Sequence, residues 1–245
     1  MEAALVRGGR FDGSDGPDLR AVFTLRETRT GFIGNGLPGD RMNVAGIPAA
    51  APMGMGFKSG FKKNQASEDD VTIADGPLKG GTTMHVSQIR TRLESWYRLL
   101  DEQQRVARMF APQLSPHQVR SLGDEAPTFA EAQDATAESY GVVGHLQTTA
   151  QARRDGRPVI LRRDFDTIDG GSTGVHFVSL QRSVDDFIAT TEAMNAAHLS
   201  YINPSVKGTE NNGINEFLFF QRRANYAVPS RSQRSFPLLQ GRGQH

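Results

Sequence analysis

The stretch from Pro158 to Phe220 constrains the fold more than any other part of the chain. PVILRRDF (Pro158–Phe165) reads as a strand, and GVHFVSLQ (Gly174–Gln181) as a second, clearer one. Ser183 then stands at an N-cap position ahead of VDDFIATTEAMN. Asp185 and Asp186 sit in its first turn, where carboxylates complement the helix dipole. Val184, Phe187, Ile188, Thr191 and Met194 form the buried stripe of that helix. After a polar loop, NEFLFF (Asn215–Phe220) is a third strand, and YAVP (Tyr226–Pro229) extends or follows it. Upstream, TTMHV (Thr82–Val86) suits a strand. Ile89, Leu93, Trp96 and Leu100 then share one face of a helix, and Val106, Met109 and Phe110 continue a helical pattern as far as Pro112. Thr128 and Glu131 have the spacing of a capping box, which predicts another helix start. This order predicts an α+β fold: a ferredoxin-like, mostly antiparallel sheet with helices on one face. The other sheet face is left available for a partner domain or a flat ligand.

The first 55 residues behave differently. They are rich in Gly, Pro, Asp and Arg, with one short apolar piece, AVFTL (Ala21–Leu25), and GIPAAAPMGMGF (Gly46–Phe57) reads as loop. Residues 1–55 therefore read as an incomplete N-terminal domain or an extended arm, 56–230 as the ferredoxin-like domain, and 231–245 as a basic, polar tail. A net charge of +1 is too balanced to indicate nucleic acid or an anionic membrane as a partner. No apolar run is long enough to cross a bilayer, and no export signal is visible at the N-terminus; the compartment stays open. The absence of cysteine excludes disulfides, thiolate metal ligands and a cysteine nucleophile.

Few residues are candidates for chemistry. His145, in YGVVGHLQTTAQARRDG, stands alone at the end of an apolar turn. It reads either as a hydrogen-bonded or exposed histidine or as a metal ligand. His85, His117, His176, His198 and His245 show neither HExxH nor another paired spacing for zinc. A single histidine ligand with no companions is what porphyrin iron needs, since the macrocycle supplies the other nitrogens. Arg162 and Arg163 are consecutive in a strand, so they point to opposite faces and one can enter an interior. GGTTMHV lacks GxGxxG and the Walker lysine–serine pair, which argues against a nucleotide site. Glu68, Asp69 and Asp70 read as a solvated acidic turn, with cation binding as the other reading.

Four segments, in order, resemble the C-terminal half of the dye-decolourising (DyP-type) peroxidase superfamily. GFKSG (Gly56–Gly60) resembles its GxxDG loop, and GGTTMHVSQIRTRLESW (Gly80–Trp96) its glycine-led strand running into a helix. GHLQTTAQARRDGRPVILRRDF (Gly144–Phe165) resembles the segment from proximal histidine to distal arginine, and GVHFVSLQ with the following helix and NEFLFF its closing strand–helix–strand. The resemblance covers residues 56–229. It implies two ferredoxin-like halves facing each other around haem b, a dimeric α+β barrel-type fold of which the N-terminal half is largely missing here. It also implies His145 as the iron ligand, Arg162 as the distal arginine, and Val175 and Phe177 along the distal side.

The family's acid–base carboxylate falls on Ser59. A carboxylate in reach of peroxide moves a proton from one oxygen to the other, and such general catalysis is worth roughly a hundred- to ten-thousand-fold. A serine hydroxyl cannot take that proton at neutral pH. Lys58 adds positive charge without replacing the function, and Glu68, Asp69 or Asp70 would have to swing in to supply it. The resemblance therefore implies a peroxidase using hydrogen peroxide and an unknown reducing substrate, with weakened proton transfer. The alternatives are a non-catalytic haem-binding or haem-handling protein, or a cofactor-free scaffold acting through protein contacts. Homo-oligomerisation is left open.

Overall fold

A computed structural model describes residues 29–32, 42–49, 51–58, 64–121 and 132–233. The chain divides into two compact units, 1–30 and 31–245, and all the elements below belong to the second. In chain order they are α1 (Glu68–Val71), β1 (Thr82–Thr91), α2 (Leu93–Leu99), α3 (Glu102–Met109), α4 (Pro116–Ser121), α5 (Gln133–Tyr140) and α6 (His145–Thr149). A small hairpin follows, β2 (Arg153–Arg154) with β3 (Arg157–Pro158), then β4 (Ile160–Asp169), β5 (Ser172–Gln181), α7 (Val184–Asn195), α8 (Leu199–Ile202) and β6 (Leu218–Val228).

The main sheet has the order β4–β5–β1–β6, with every neighbouring pair antiparallel. The α+β class and the antiparallel sheet are those the sequence indicates. Each central strand sits between two others that are joined through helices, which is the split βαβ arrangement of ferredoxin-like sheets. β4 and β5 run longer than the sequence predicts. Gly170 and Gly171, both at positive φ (58° and 80°), join them as a two-residue turn, and such a turn needs left-handed backbone at both positions.

Ile89 lies in β1, not on a helix, and the helix begins only at Leu93. The inward face of β1 carries His85, Ser87 and Thr91 beside Ile89, all buried, so the alternation is one of burial and not of hydropathy. NEFLFF also divides: Asn215–Phe217 is a 3-10 turn, and the strand runs from Leu218 through Tyr226 to Val228. The helix start predicted at Thr128 and Glu131 lies outside the described residues, and α5 is described from Gln133. α3 carries a capping box that sequence reading passed over, with Asp101 accepting from Gln104 N while the Gln104 side chain accepts from Asp101 N.

The core that supports the sheet centres on Trp96, fully buried among Met42, Met55, Leu93, Ile214 and Phe217. Its ring meets Phe217 edge-on at 5.0 Å, and its indole N–H donates to Met55 O at 3.1 Å. That bond, with the Tyr97 hydroxyl donating to Gly54 O at 2.8 Å, ties the loop 51–58 onto α2. Around Gly144 a second cluster joins Val106, Phe110, Ala111 and Leu114 to Leu146, and so fixes where α6 starts.

Candidate functional site

Between the inward face of the sheet and the helices lies a cavity of ≈ 200 Å³ with a mainly apolar lining. α7 forms one wall through Phe187, Thr190, Thr191 and Met194, and α6 contributes His145, Leu146 and Thr149. The loop 51–58 closes another side with Met53, Met55, Phe57 and Lys58. Phe187 is itself held by a stacked contact with the buried His85, ring centres 3.5 Å apart.

The sheet floor is ordered by register. Ile160, Arg162, Asp164 and Asp166 share the inward face of the edge strand β4, since side chains two apart point the same way. Arg162 lies opposite Ser179, Asp164 opposite Phe177, and Asp166 opposite Val175. Crossing to β1, those rows continue to His85, Ser87 and Ile89. The charged groups thus sit at one edge of the floor, and its middle mixes the apolar Phe177, Val175 and Ile89 with the uncharged polar Ser179, His85 and Ser87. Arg163, one residue out of phase, is exposed and donates a hydrogen bond to Arg162 O.

His145 opens α6. It lies deep in the protein yet keeps some accessible surface and lines the cavity. Its Nδ1 is buried and, among the described residues, has no hydrogen-bond partner. Loss of solvent drops its pKa to about 4; the Arg162 charge pushes the same way and Asp164 partly opposes both. The ring is therefore neutral at ordinary pH, the form that can donate a lone pair to a metal. Its seat is cut close. A Cβ on Gly213 would come within 2.9 Å of His145 Cα, and one on Gly144 would fall 1.8 Å from Phe110 O.

Arg162 is not a free cation. Its Nη1 pairs with Asp164 Oδ2 at 2.5 Å, both side chains being mostly buried, and its backbone N–H donates to Gln65 Oε1 at 2.9 Å. Asp166 is more buried still, at 2% exposure. Its Oδ2 accepts from Gly54 N at 2.9 Å, and its backbone N–H and C=O both pair with Phe32, at 2.9 and 2.8 Å. Burial pushes this carboxyl up to about 6; the Gly54 hydrogen bond pulls it back and the charge on Asp164 raises it further.

The structure brings His145, Arg162, Val175, Phe177 and Lys58 to one cavity. Ser59 lies outside the described residues. The acidic run does not reach the cavity. Glu68, Asp69 and Asp70 form α1, where Asp70 caps with Ser67 and pairs with Arg157 at 3.1 Å. Asp164 and Asp166 are the carboxylates of the lining, and sequence reading missed them. The signal was present in Arg162-x-Asp164-x-Asp166, a period of two that puts all three on whichever face Arg162 takes. Among the described residues no group of three or more His, Cys, Asp or Glu could hold a metal ion. Also among them, no helix is long and apolar enough to cross a membrane.

The sequence matches the family described as "Family of unknown function (DUF7405)" over residues 2–230. No curated protein sequence matches it. Among solved structures, the fold is similar to a protein described as DyP-type peroxidase from Shewanella oneidensis, at 18% identity and TM-score 0.50, over 72% of this chain and 51% of that one. It is also similar to DypB from Rhodococcus jostii RHA1, at 16% identity and TM-score 0.50, over 73% and 51%. A variant of that DypB in complex with heme gives 17% identity and TM-score 0.50, over 73% and 52%. At these identities the likeness is one of fold, and the chain spans about half the length of each of these structures.

Proposed function

The chain belongs to the DUF7405 family, whose function is unknown, and we propose that it binds haem b in the cavity between sheet and helices and handles peroxide there, as DyP-type peroxidases do. One observation carries the reading: a neutral imidazole deep in the protein, with a nitrogen unpartnered among the described residues, lines the same mainly apolar cavity as a mostly buried arginine. A buried polar nitrogen left without a partner costs stability unless a ligand uses the site. His145 would hold the iron, the apolar side chains of the lining would take up the macrocycle, and Arg162 would supply a positive charge at the edge of the floor. Haem, when bound, would supply a redox-active iron. The side chains would do the rest: the apolar walls would exclude water, and the Arg162 guanidinium would favour negative charge on a peroxide held beside it, an effect that strengthens where water is absent.

A second reading, haem binding without efficient turnover, is favoured by the Arg162–Asp164 pair, which offsets the cation's charge. The experiment is a haem titration followed by absorption spectroscopy, on wild type and His145→Ala. Wild type is expected to give a Soret band of histidine-ligated iron, and the variant to lose it. If the variant takes up haem with an unchanged spectrum, His145 is not the ligand and the reading fails. Dye oxidation with hydrogen peroxide by the loaded wild type then separates turnover from simple binding.

A further inference from the structure

We infer that Asp166 is the proton acceptor of this cavity: its carboxylate takes the proton from a protic ligand that enters, which stays bound as its anion. The identity of the ligand site rests on the haem reading above; the behaviour of the carboxylate does not. The step is balanced as written, since the acid HX loses its proton and Asp166 becomes the carboxylic acid.

Three observations lead here. Asp166 lines the cavity at 2% exposure, in a sheet row whose next members are Val175 and Ile89. Among the described residues it has no ion-pair partner, and its side chain accepts one hydrogen bond, from Gly54 N. A buried carboxylate held this sparsely is costly to keep charged, and such groups concentrate at functional sites. The other carboxylate of the lining is otherwise engaged, since Asp164 pairs with Arg162. Finally, the group is held still. Phe32 pairs its backbone on the outer edge of β4, and Gly54 lies so close that a Cβ there would come within 3.2 Å of Asp166 Oδ1.

The surroundings agree with the role. A carboxyl near 6 exchanges protons efficiently close to neutral pH. The titratable groups that act on it directly are Asp164, on its own strand, and Tyr97, on α2 with Arg105 over its ring. His145, Arg162, Lys58 and Arg153 line the same cavity. Asp166 thus supplies the proton-accepting group that Ser59 lacks, from a different part of the chain.

The test uses haem-loaded protein and two probes in rapid mixing. Hydrogen cyanide must lose a proton to bind as its anion; imidazole binds neutral. Asp166→Asn is expected to slow cyanide association by roughly a hundred- to ten-thousand-fold and leave imidazole association unchanged. An unchanged cyanide rate in Asp166→Asn, or equal slowing of both probes, overturns the proposal. A second readout needs no haem: carbon-13 NMR of aspartate-labelled protein should show one carboxyl titrating at about 6 that is missing from Asp166→Asn. A midpoint in the ordinary carboxylate range overturns the proposal outright. Failure to take up haem, with that titration intact, refutes the haem reading and leaves the carboxylate assignment standing.

Discussion

Asp166→Asn should make the cofactor-free protein more stable near neutral pH, and the size of the gain follows from the structure. The wild-type carboxyl sits at about 6 in the folded protein against an ordinary 3.8. A folded-state value above the unfolded one means the folded state holds its proton longer. Stability from this group is therefore full below 3.8 and lost as pH rises through 6. The separation corresponds to about 3 kcal/mol. Asparagine mimics the protonated form without titrating, so the variant should gain about 3 kcal/mol above pH 6, with the gain vanishing as pH falls to 3.8.

His145 works in the opposite sense. Its folded value of about 4 lies below the ordinary 6.5, so its contribution is present above 6.5 and is lost as pH falls through 4. That loss is also about 3 kcal/mol. In wild type the two titrations nearly cancel between pH 4 and 6, and in Asp166→Asn only the histidine remains. Urea unfolding across this range should thus give a small pH slope from these two groups in wild type and a steeper one in the variant. A variant less stable than wild type at neutral pH, or with the same pH profile, would refute the account of Asp166 as a buried, sparsely satisfied charge.

Gly144→Ala should cost at least about 3 kcal/mol in urea unfolding, because its Cβ would fall 1.8 Å from a backbone oxygen that cannot swing aside. Gly170→Ala serves as the comparison: its Cβ would meet nothing within 4 Å, so only its φ of 58° opposes the change, at about 1 kcal/mol. Trp96→Phe should lose about 2–3 kcal/mol, since it leaves both a void and an unpaired Met55 carbonyl, and the loop 51–58 should exchange its amides faster. Ser59→Asp should add little to cyanide association in wild type yet restore much of the rate in Asp166→Asn. Two acceptors for one proton are redundant until one is removed, and strictly additive effects would rule out a shared role.

How much of this was legible in the chain depended on where each element keeps its polar groups. β5 and α7 announce themselves, the first by its run of strand-forming residues and the second by Ser183 and its acidic first turn. β1 does not, because its buried face is His85, Ser87 and Thr91 as well as Ile89, and hydropathy alternation is blind to a polar interior. α6 escaped for another reason: five residues cannot display a helical period, and its cap, Gly144, has no side chain to declare it. His145 could be picked out as a lone imidazole, yet its depth in the protein arises from Gly213 and Phe110, which are distant in sequence.

Asp166 illustrates the limit most directly. RRDFD states in one dimension that Arg162, Asp164 and Asp166 share a face, and an edge strand with that much charge ordinarily turns it to water. What reverses the assignment is long-range. Gly54 reaches the carboxylate across 112 residues of sequence, and Phe32 pairs with the outer edge of the strand at the same position. The alternation could say which side chains travel together. Only the packing of the glycine loop and α2 against β4 decides that they travel inward, and that decision turns three charges of a surface pattern into the polar edge of a cavity.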